Sequence, residues 1–167
     1  MIDFKASLKS GFLSGIFYGL LNAAVTYVFF TMYKEAIISE INASLPQNST
    51  MSAVQLYNTV LFLGPVMNMT LGLFGGLVMG IVFGVFYDKI PLQSYMIKGA
   101  LISLVVWLIT NVSKIMYLFS GDYYVISGLI IALVSGGLLG ILYKMFSIKP
   151  QVEQPSVTQE TQGPPNT

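Results

Sequence analysis

The chain has 167 residues, of which 54% are apolar and 9% charged, with a mean hydropathy of +0.73; a soluble domain carries about 25% charged residues, so water is not its main solvent. A net charge of +1 excludes the basic field that holds nucleic acid. With no Cys and no His, disulfides, thiol nucleophiles, the usual zinc sites and imidazole acid–base chemistry are excluded too.

The uncharged runs predict an all-α integral membrane protein with a bundle of four transmembrane helices. A spanning helix needs about 20 residues free of charge, and backbone in hydrocarbon must satisfy its own amides. Residues 1–10, with Lys5 and Lys9, form a short N-terminal segment. Residues 11–33 are the first span, read as retained because the apolar stretch is about twice the length of a signal-peptide core. Residues 34–58 form an outer loop with short helices: Ile37, Ile38, Ile41 and Leu45 recur at helical spacing until Pro46. Ser52 and Gln55 then make a capping box, with Met51 placed to staple onto Leu56. A small helical cap over the outer face is expected.

Residues 59–87 are the second span. About 29 residues at 1.5 Å each exceed the bilayer thickness, so a break or kink is expected at Gly64-Pro65. A short link, 88–96, contains Pro91. Residues 97–119 are the third span, 120–122 a tight outer turn in which Asp122 caps the fourth helix, and 123–146 the fourth span. The tail 147–167, rich in Pro, Gln and Thr, is expected to be disordered. A weak likeness between Gly75-Gly76-Leu77 and Gly136-Gly137-Leu138 needs gaps and has two readings, shared membrane-helix composition, which is preferred, and a repeat of two parallel hairpins. Orientation rests on lysine, since the chain has no arginine. Lys5, Lys9, Lys89, Lys98, Lys144 and Lys149 fall on one side, whereas Lys34 sits opposite with Glu35, Glu40 and Asp122. The positive-inside rule therefore puts both termini in the cytoplasm. Trp107 falls mid-span and reads as a packing residue.

The strongest pattern is small residues every fourth position. Gly11, Gly15 and Gly19 in span one, Gly72, Gly76, Gly80 and Gly84 in span two, and Gly128, Gly136 and Gly140 in span four form rows along which backbones can approach closely. Such rows serve either the helices of one molecule, the preferred reading, or a partner chain. Polar residues inside the spans come next: Asn22, Asn68, Asn111 and Lys114 could converge on a polar site in the outer half of the membrane. The plainer reading of the asparagines is interhelical hydrogen bonding, and of Lys114 a stem that snorkels to the interface. Asn42 and Asn48 head sequons in the outer loop and are the candidate glycosylation sites.

No HExxH, GxSxG or P-loop occurs, and no acidic pair lies within the spans, so no catalytic residues, cofactor or metal are expected. The expected function is a non-catalytic membrane subunit or scaffold in the cell membrane, assembling through glycine-zipper contacts as a homo-oligomer or in a larger membrane complex. Its surroundings are the lipid bilayer, with no nucleic-acid partner. The alternative is a small transporter or channel using the polar site.

Overall fold

The structure, a computed structural model, describes residues 3–46, 49–116 and 121–147. The expected disordered tail beyond Ser147, the end of the third span at 117–119 with the first residue of the outer turn, and the sequon residue Asn48 lie outside the described residues. Within them the chain is all-helical. Helix α1, Phe4–Met32, starts earlier than the uncharged run because the Asp3 side chain accepts the Ala6 N–H at 3.0 Å. Helix α2, Lys34–Ser44, follows after the single residue Tyr33.

Helix α3, Ala53–Phe86, opens on the capping box. Ser52 Oγ accepts the Gln55 N–H at 3.2 Å, and Gln55 Oε1 accepts the Ser52 N–H at 2.9 Å. It then runs through Gly64 and Pro65 as one 34-residue helix, so of the expected break or kink the break does not occur. The physical reason is that α3 is fastened to α1 on both sides of the proline. The Tyr57 hydroxyl donates to the Phe30 carbonyl at 3.0 Å before it, and Asn68 Nδ2 donates to Thr26 Oγ1 at 2.8 Å after it. One helix lost at Pro65 would cost both anchors. At 1.5 Å per residue α3 is about 51 Å long, so it outruns a hydrocarbon layer of about 30 Å. Its first turns lie against α2, where Ile37, Ile41 and Leu45 share a groove with Leu56.

A 3-10 turn, Tyr87–Lys89, leads to α4, Tyr95–Thr110. At 16 residues α4 is shorter than the expected third span. Thr110 Oγ1 donates to the Val106 carbonyl at 2.9 Å, and Asn111 Nδ2 to the Trp107 carbonyl at 3.0 Å. The Asn111 N–H still donates to the Trp107 carbonyl at 2.9 Å, and Val112–Lys114 continues as a 3-10 helix. Gly121, at φ 78°, takes the left-handed conformation before α5, Tyr123–Ser147. There Asp122 Oδ1 accepts the Tyr124 and Val125 N–H groups at 2.9 and 3.3 Å. Helices α1, α3 and α5 are each long and apolar enough to cross a membrane.

In space the order is α3, α1, α5, α4: α1 packs against both α3 and α5, α5 packs against α4, and α3 scarcely touches α4. The packing is inside out relative to a soluble bundle. Buried positions of α1 are Ala6, Ser7, Ser10, Gly11, Ser14, Gly15, Gly19, Ala23 and Thr26, all small, while Phe12, Leu20 and Val28 face outward. Along the middle of α3 the same holds, with Gly72, Gly76, Gly80 and Gly84 inside and Phe62, Leu71 and Phe74 more than 60% exposed, while Tyr57 and Phe83 toward its ends are buried. Burying large side chains gains nothing where the solvent is itself apolar, so close backbone contact decides which face turns inward.

Candidate functional site

The glycine rows of α1 and α3 meet backbone to backbone. A Cβ placed on Gly15 would lie 2.6 Å from the Gly72 carbonyl oxygen, and one on Gly11 2.5 Å from that of Gly76. A Cβ on Gly76 would overlap the Gly15 Cα, and one on Gly80 the Ser7 carbonyl. Gly19 faces Met69 and Gly72, and Gly84 is buried in α3. On α5, Gly136 and Gly140 meet not another predicted row but α4, through Gly99, Ser103 and the Tyr95 carbonyl. Gly128 stands apart, with the Trp107 indole 3.5 Å from an added Cβ. Sequence reading missed the helix-contact role of Gly99, Ser103, Ser14 and Ser135. The four-residue step from Gly99 to Ser103 carries the signal for the first two.

At the end where the chain begins, the bundle is closed by an aromatic clasp. Phe83 and Tyr143 pack edge to face at 5.1 Å, and Tyr87 lies 4.9 Å from Tyr143 and 5.7 Å from Tyr95. Lys98, counted in the sequence as a loop-flanking charge, is only 9% exposed and donates from Nζ to the Tyr87 carbonyl at 2.7 Å. It ties the start of α4 to the end of α3. That is where the two helices meet; above it they diverge.

The divergence leaves two cavities. The upper one, about 220 Å³, is lined by Asn22, Asn68 and Asn111 together with Tyr18, Trp107 and Tyr124. Three of the four residues named for a polar site thus share one chamber. Their amide nitrogens are engaged: Asn22 with the Tyr18 carbonyl at 2.9 Å, Asn68 with Thr26 Oγ1, and Asn111 with the Trp107 carbonyl. The side chain of Lys114 lies outside what is described. Asn42 is exposed on α2, within a helix rather than a loop and remote from both cavities.

The lower cavity, about 340 Å³, lies among α1, α3, α4 and α5 and is mainly apolar. Tyr18 and Trp107 line both cavities and form the wall between them. Across its floor Ser14 Oγ donates to the Ser135 carbonyl at 2.9 Å. The hydroxyl of Ser135 itself is buried without a hydrogen-bond partner. Among the described residues no Asp, Glu or Lys lines either cavity. The chemistry available is therefore hydrogen bonding by neutral amides and hydroxyls against apolar walls. In comparisons with known proteins, no family model, curated protein or solved structure matches this chain.

Proposed function

We propose that the chain is a four-span integral membrane protein of the cell membrane, with both termini in the cytoplasm, acting as a non-catalytic subunit or scaffold. The observation that supports this best is the packing of α1 on α3, small residues at the contact and many large apolar residues outward, which suits lipid and not water. In this reading Tyr95–Thr110 and the residues after it complete the fourth crossing. The glycine rows act as zippers between helices of one chain, so partner chains or a second copy dock on the outward faces or on α2.

Topology is tested first. Because the chain has no cysteine, single Ser49→Cys and Ser156→Cys variants report sidedness directly. Ser49→Cys is expected to react with an impermeant thiol reagent on intact cells, and Ser156→Cys only after permeabilisation. Reaction of both from one side would overturn the four-span map. Assembly is then read from native membranes in mild detergent. A discrete particle heavier than one protomer is expected, and a monodisperse protomer with no stoichiometric companion would remove the subunit reading.

A second reading, a small transporter or channel, is favoured by the chamber that gathers Asn22, Asn68 and Asn111. Solute or ion flux in proteoliposomes that falls with Asn68→Leu or Asn111→Leu, while the protein stays folded, would establish it. Absence of flux for every solute tried would remove it.

A further inference from the structure

At the end of the bundle opposite the aromatic clasp, the end of α1 and the start of α5 enclose a pocket of about 460 Å³. Five of its seven lining residues are aromatic, Phe29, Phe30 and Tyr33 on one side and Tyr123 and Tyr124 on the other, and one is Asp122. The rings form a cluster that reaches from one helix to the other: the Phe29 centroid lies 4.6 Å from that of Tyr33 and 5.6 Å from that of Tyr124. Tyrosines that only anchor helices at a membrane interface need neither an enclosed volume nor a carboxylate on its wall.

Asp122 is committed on one side only. Its Oδ1 accepts the Tyr124 and Val125 N–H groups as the cap of α5, and among the described residues no donor reaches Oδ2. The N-terminal end of a helix dipole amounts to about half a positive charge, so the carboxylate still leaves the pocket negative. Among the described residues no lysine lines it, not even Lys34, which follows Tyr33 in the chain. Aromatic faces attract cations and repel anions through their quadrupole. A neutral occupant would take water from Asp122 and return nothing. A hard inorganic cation wants several oxygen ligands, which rings do not supply. The chemistry that remains is a cation whose charge is spread over alkyl groups.

We propose that this pocket binds a small quaternary ammonium ion from solution, its alkylated nitrogen against the rings and its charge facing Asp122. The volume falls within the range of about 300–1,000 Å³ typical of small-molecule sites. A phosphocholine lipid headgroup carries the same cation, but its phosphate would come close to the Asp122 carboxylate, and like charges brought together disfavour a partner. Such binding serves a subunit and a carrier alike, so it goes beyond the function proposed above without depending on either reading.

The test uses the purified full-length protein in deuterated maltoside detergent, with choline chloride as probe and NMR saturation transfer from the protein's aromatic protons to the choline N-methyl protons. Transfer is expected, and tetramethylammonium should compete for it. Neopentylcarbinol, which has the shape of choline without its charge, should bind at least about tenfold more weakly, and phosphocholine should also bind more weakly than choline. Asp122→Asn keeps the helix cap, since asparagine caps as well as aspartate, and should weaken choline about fivefold, the upper value for an exposed ion pair. Tyr33→Leu should weaken it to a similar extent, whereas Tyr33→Phe, which keeps the ring face, should not. No transfer to choline, or a neutral isostere that binds as well, would overturn the proposal on the unaltered protein, whatever the variants do. So would an affinity indifferent to both Asp122→Asn and Tyr33→Leu in protein that stays folded. Phosphocholine binding as tightly as choline would overturn the free cation and assign the pocket to a lipid headgroup.

Discussion

Gly76→Leu is expected to abolish the folded bundle, whereas Gly75→Leu, one residue earlier, is expected to leave it intact. At Gly76 the first side-chain atom already overlaps the Gly15 Cα and stands 2.5 Å from the Gly11 carbonyl oxygen. Both are backbone, so no rotamer change relieves the clash, and α1 and α3 must part. Overpacking against yielding side chains costs about 1–3 kcal/mol; separating two backbones along a row that includes Gly11, Gly15, Gly72 and Gly80 costs more, because every contact on the row is lost together. At Gly75 there is open space, and replacing glycine in a helix gains up to about 1 kcal/mol of propensity. Thermal aggregation in detergent and resistance to limited proteolysis read the difference. Equal stability of the two variants would mean that α1 and α3 do not meet as described.

Lys98→Ala is expected to lower stability by about 1.5–3 kcal/mol, the range for a hydrogen bond to a charged group. The loss is directional. Lysine in the first turn of α4 is unfavourably placed for that helix's own dipole, yet its Nζ reaches the carbonyl of Tyr87, the residue that caps the C-terminus of α3. A cation there offsets the negative end of the α3 dipole and satisfies a carbonyl left over by the helix. Lys98→Met keeps most of the stem and should lose somewhat less. The local readout is cleavage in the link between Asp88 and Ser94, which should accelerate in both variants before global unfolding. Unchanged cleavage would mean that the tie does not hold α3 and α4 together.

How far the sequence was legible depended on whether a feature is local. Ser52 and Gln55, three residues apart, determine their own cap, and a step of four puts Gly11, Gly15 and Gly19 on one face whatever stands opposite. The effect of Pro65 depends on neighbours: alone it favours a break or a kink, but the Tyr57 and Asn68 anchors to α1 keep the chain helical through it. The early end of α4 at Thr110, with a 3-10 turn after it, falls inside the expected third span and so left no mark in span length. Lys98 looked like a surface charge because its partner is a main-chain carbonyl, which no residue pattern records. Which row meets which could not be read at all. Gly136 found Gly99 because α5 packs on α4, its neighbour along the chain, whose small residues Gly99 and Ser103 make too short a row to stand out.

That order has a consequence for how the protein is made. The pair α1–α3 and the pair α4–α5 each join helices that leave the ribosome one after the other, with only α2 between the first two, so each hairpin can close as soon as its second member is synthesised. The contact of α1 with α5 joins distant parts of the sequence and must wait until α5 has been made. Loop-closure entropy makes such a distant contact the slow one. The bundle is thus assembled as two early hairpins and one late docking event, and the link carrying Pro91 is the point at which the chain could be divided into fragments that still recognise each other.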